Sequence, residues 1–120
     1  MNVLFQKPIQ EIVFIENLIL AAQKEDRSSL DTIFIALKNL GSHIDSVMAT
    51  EFEGKLLSYQ VEISRLWQLL KLEQQFLKVS RSQKARSQHF VTMQEHLNKM
   101  KSFCEACASL LEQTSVNRYE

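Results

Sequence analysis

The sequence predicts an all-α protein: an antiparallel bundle of about four helices, ending in a long C-terminal helical hairpin. Three observations lead there. Apolar residues recur at three- and four-residue steps through most of the 120 positions. Only 2 Gly and 1 Pro are present, too few for the tight turns of an all-β fold. Hydrophobic residues make up 45%, enough apolar surface to offset the entropy of folding in a single domain over 1–120 with short flexible ends.

The first helix is expected from Pro8, because proline is tolerated in a first turn where its missing N–H costs nothing. Ile9, Ile12, Val13, Ile15, Leu18, Ile19 and Ala22 then cover most of a helical cylinder. Gln10, Asn17 and Lys24, with Glu16 and Gln23 beside them, leave a narrow polar stripe. A helix this apolar should be deeply buried, in its own bundle or against another chain. After the polar break 25–29, where Asp26 or Ser28 can cap, Leu30, Ile33, Phe34, Leu37, Leu40, Ile44, Val47 and Met48 define a second helix. Gly41 interrupts it at a close helix contact or a bend.

Thr50-Glu51-Phe52-Glu53 matches a capping box, so a third helix is expected near Glu51. Phe52, Leu56, Tyr59, Ile63, Leu66 and Leu70 form its heptad seam, as in a coiled coil. Leu69, Leu72, Phe76 and Val79 add an adjoining stripe, more apolar surface than one seam requires. Glu73 stands on the seam where Leu would be expected. The expectation is that the second stripe takes over and Glu73 faces water; the alternative is a carboxylate buried against a basic residue. Ser80 and Gln83 have capping-box spacing for a tight turn, and Phe90, Met93, Leu97, Met100, Cys104, Cys107 and Leu111 place a regular seam on the last helix. Thr114 to Glu120 reads as a frayed tail. The first helix is expected to be the shortest, covering only part of the hairpin and leaving an apolar groove.

Chemistry is harder to place. Cys104-Glu105-Ala106-Cys107 is a C-x-x-C, but both thiols fall late in a long helix on its apolar seam. Redox pairs favour a helix N-terminus, and structural zinc needs four ligands, so core packing is expected and no metal site. His43, His89 and His96 have no Glu three positions earlier, and His89 and His96, a heptad apart beside seam residues, read as half-exposed surface groups. Two glycines leave no phosphate-cradling loop. No enzyme, no catalytic residue and no cofactor are expected. The N-terminal residues lack a basic start and a long apolar core, and no stretch reaches the roughly 20 residues of a membrane span. With two cysteines only, a reduced cytoplasmic chain is the simplest reading.

The 14 basic and 14 acidic residues cancel, yet Lys71, Lys78, Arg81, Lys84, Arg86, Lys99 and Lys101 gather in the second half. Such a patch suits an acidic partner or phosphate. No stacking aromatics are interleaved in it, which argues against nucleic acid.

Two local patterns carry a resemblance. Ala21-Ala22-Gln23-Lys24-Glu25-Asp26-Arg27-Ser28-Ser29-Leu30 places an acidic residue and then Leu before a second amphipathic helix. Leu66-Trp67-Gln68-Leu69-Leu70 through Glu73-Gln74-Gln75-Phe76-Leu77 sets a polar pair before apolar residues. In helical order, size and these patterns the chain resembles the small flagellar and type III export chaperones of the FlgN and FliT families, although Gln74 and Gln75 stand where FlgN carries Asn. The resemblance implies a cytoplasmic protein that binds an amphipathic helix of a partner before export. The residues expected to line such a groove are Leu69, Leu72, Phe76 and Val79, with Lys78 and Arg81 on its rim. Two other readings stand beside it: a structural subunit whose extra stripe is covered by its own copy, and a nucleic-acid-associated regulator using the basic turn 78–88.

Overall fold

In the computed structural model, described over residues 3–24 and 29–118 with side chains over 3–23 and 30–113, four helices follow one another without strands among the described residues. They are α1 (Val3–Lys24), α2 (Ser29–Met48), α3 (Gly54–Val79) and α4 (Gln83–Arg118). Each helix packs against its neighbours in the chain, and α4 closes the ring by packing on α1, so α1 and α3 sit on a diagonal. The result is an antiparallel bundle of 57 × 21 × 19 Å. The expected cap residues Asp26 and Ser28 lie outside the described residues.

The core follows the periodicities. Ile12, Ile15 and Ile19 of α1, Ile33, Leu37, Leu40 and Ile44 of α2, Ile63, Leu66 and Leu70 of α3, and Met93, Leu97, Met100 and Cys104 of α4 are buried together. Gly41 does mark a close approach. A Cβ there would stand 2.8 Å from Cζ2 of Trp67, so α2 can lie this near α3 only without a side chain at that position.

Several local expectations are corrected. Helix α1 starts at Val3, five residues before Pro8, which lies inside the helix and is buried. Proline there leaves the Leu4 carbonyl without its N–H partner. Burial of Phe5, stacked on Phe52 with ring centroids 5.8 Å apart, offsets that loss. Nor is α1 the shortest helix: it has 22 residues and α2 has 20. It also buries less than its composition suggests, since Val13, Phe14 and Leu20 remain exposed. At the other end α4 runs on to Arg118, where a frayed tail was expected from Thr114.

The capping box at Thr50 does not form. Backbone N–H groups of Ala49 and Thr50 still bond Asp45 and Val47 carbonyls, so Thr50 belongs to the end of α2. Its hydroxyl accordingly donates to the Ser46 carbonyl at 3.1 Å. Phe52 precedes α3 instead of opening its seam; Glu53 is an extended N-cap without a side-chain bond, and Gly54 turns the chain at φ 59°. The cap of α4 is likewise displaced. The Ser80 N–H bonds the Phe76 carbonyl and so closes α3, while Ser82 Oγ accepts the Ala85 N–H at 3.1 Å and opens α4.

Candidate partner-binding surface

The seam of α3 runs straight from Ile63, Leu66 and Leu70 through Glu73 to buried Leu77, so the helix does not rotate to release Glu73. The expectation that Glu73 faces water is therefore wrong. Its side chain keeps 13% of its surface exposed and its Oε2 lies 2.7 Å from Nδ1 of His89 on α4. A carboxylate accepts here, which places a proton on His89 Nδ1. His89 in turn stacks on Phe76, centroids 5.2 Å apart. Two turns further along α4, Nδ1 of His96 is shut off from solvent without a hydrogen-bond partner among the described residues, and burial lowers the His96 pKa from 6.5.

The six residues expected to line a groove fall in three places, with Val79 shared by two of them. Leu69 packs on the edge of the core. Leu72, Phe76 and Val79 are exposed by 48%, 41% and 73%. Phe76 and Leu72 owe their exposure to the outward side of α3 and not to a short α1, because α1 lies on the diagonal from α3. Lys78, Val79 and Arg81 border a cleft of about 800 Å³ at the end of the bundle where α2 begins, α3 stops and α4 starts. Leu30, Phe34 and Leu77 supply its apolar wall, and Lys78 Nζ sits 5.6 Å from the centre of the Phe34 ring. In the sequence Leu30 and Phe34 stand out only as part of the apolar repeat of the second helix, and Arg86 only as part of a basic run. The cleft that joins them is made by helices distant in the chain.

A second, shallower groove of about 600 Å³ lies between α1 and α4, with Val13, Leu20 and Val91 along it. Two of its charges are engaged with each other: Lys101 Nζ donates to Glu16 Oε1 at 3.0 Å, and Gln94 Nε2 donates to the Glu16 carbonyl at 3.1 Å. Lys101 thus leaves the basic cluster that the sequence suggested.

Both thiols sit in the core. Cys104 and Cys107 are fully buried and free, and burial pushes their pKa values up to about 12 and about 11. A thiol so protonated is a packing group rather than a nucleophile. Among the described residues no three His, Cys, Asp or Glu side chains come together as a metal cluster, and no helix is long and apolar enough to cross a membrane. No protein-family profile, curated protein or solved structure matches the chain.

Proposed function

We propose that this protein is a non-enzymatic helical binding module, a cytoplasmic chaperone or adaptor of the export type, that holds an amphipathic helix of a partner protein. The observation that supports this reading most is the outward face of α3. Leu72, Phe76 and Val79 stay exposed there although the bundle has already filled its core without them. Adjacent exposed apolar groups at helical spacing suit a second helix whose own residues at i, i+3, i+4 and i+7 meet them. The resemblance to the flagellar and type III export chaperones points the same way.

The test is Phe76→Ala. Its ring is 41% exposed and stacks on His89, so truncation should cost only about 1 kcal/mol of stability while partner capture falls about thirtyfold, the equivalent of about 2 kcal/mol for an interface anchor. Loss of about 3–5 kcal/mol of stability, as for a ring in a closed core, would remove the site. The same stripe covered by a second copy is the competing reading. Sedimentation of the wild type separates the two: a monomer mass independent of concentration excludes self-association.

A further inference from the structure

Around the cleft at the α3–α4 turn, charge and apolar surface are arranged in a way that narrows the partner's chemistry. Among the described residues Lys78, Arg81 and Arg86 border it against one carboxylate, Asp31. Among the described residues none of these three cations forms an ion pair, in contrast to Lys101 on the α1 side. Arg86 is the most telling. Its Nη1 is shut off from solvent and has no hydrogen-bond partner among the described residues, an arrangement that costs free energy until an acceptor arrives.

We propose that the partner helix is acidic at one end, and that its carboxylates enter this cleft to meet Arg86, Arg81 and Lys78 while its apolar face lies along Leu72, Phe76 and Val79. This rests on the helix-binding reading above and adds its charge and its orientation. Val79 belongs to both surfaces, so one occupant spans them. From Leu72 to Val79 the stripe spans eight residues and seven helical steps, roughly 10 Å, which two turns of a partner helix cover. Guanidinium groups bind carboxylates through paired N–H donors, and apolar walls beside them exclude water and strengthen the pairing. Nucleic acid fits less well. Among the described residues the charges bordering the cleft sum to +2 (three cations and Asp31), and its one aromatic ring, Phe34, already has Lys78 over it.

The experiment uses the full chain and three fluorescent 18-residue helical peptides with one apolar pattern, flanked at one end by Glu, Gln or Lys. At low salt the Glu peptide should bind at least tenfold more tightly than the Gln peptide, and the Lys peptide most weakly. The advantage should shrink as salt is raised. Arg81→Gln combined with Arg86→Lys should bring the Glu peptide down to the level of the Gln peptide and leave the Gln peptide unchanged. If that pair melts early, Lys78→Gln, at an exposed position, reads the same loss on a smaller scale. Equal binding of Glu and Gln peptides overturns the acidic partner and leaves helix binding standing. Failure of all three peptides to bind overturns helix binding itself. Tighter binding of a single-stranded 20-mer DNA than of the Glu peptide overturns the choice of a peptide.

Discussion

Gln60 is the buried polar residue on which the α2–α3 corner depends. Its Nε2 donates to the Val47 carbonyl at 2.7 Å and to the Thr50 carbonyl at 2.8 Å, closing the end of α2 with a side chain from α3. Gln60→Met keeps length and approximate volume but removes both donors. Each net hydrogen bond contributes about 0.5–1.5 kcal/mol. Val47 O retains a second donor, the Thr50 N–H at 3.2 Å, so its share lies at the low end, whereas Thr50 O loses the partner found for it here. The sum is a destabilisation of about 2 kcal/mol. In a domain of this size that lowers the melting temperature by roughly 6–10 °C. Urea unfolding followed by helical circular dichroism should show the midpoint falling with the slope unchanged. Gln60→Glu sharpens the test. At neutral pH its carboxylate would face two carbonyl oxygens, so its deficit should exceed that of Gln60→Met and narrow on acidification, when one oxygen regains a proton to donate. A Gln60→Met protein within about 0.5 kcal/mol of wild type would refute the role assigned to the amide.

Gly41→Ala should destabilise in spite of the roughly 1 kcal/mol that alanine adds to helix propensity, because its Cβ would meet Trp67 at 2.8 Å and overpacking costs about 1–3 kcal/mol. Trp67→Phe should recover much of that loss in the double variant, and strict additivity in the cycle would show that the contact does not matter. Cys104 and Cys107 should resist a thiol reagent at pH 8 until the protein unfolds, since pKa values of about 12 and about 11 leave almost no thiolate. Their joint replacement by Ala should lower stability by about 1–3 kcal/mol, and prompt labelling of the native chain would contradict their burial. His96 binds its proton less readily folded than unfolded, so stability is full above pH 6.5 and falls as pH drops from 6.5 through the lowered native value. His96→Gln should flatten that part of the profile, and an unchanged slope would assign the pH dependence to other groups.

The helices and their inward faces were legible in the sequence because they depend on local spacing. Phe90 to Cys107 on α4, and Ile63, Leu66 and Leu70 on α3, bury as their three- and four-residue steps dictate, and a thiol at such a step packs like any small apolar group. Three of the four residues of the excess stripe, Leu72, Phe76 and Val79, stay exposed as more apolar surface than one seam consumes, whereas Leu69 packs on the core. What the tertiary structure alone decided are the pairings between residues far apart in the chain. Glu73 tolerates a seam position because His89 stands opposite on α4, and Gln60 closes α2 from α3. Lys101 meets Glu16 only because α4 closes the ring on α1, while Arg86, beside Leu30 and Phe34, has no ion-pair partner among the described residues. Even the caps moved, from Ser80 to Ser82 and away from Thr50, because an N–H still held by the preceding helix cannot begin the next one. Periodicity specifies which face of a helix turns inward, but it does not specify which helix it meets there. That choice is made by the packing of the whole chain, and the polar groups follow it because burial leaves them no other partner.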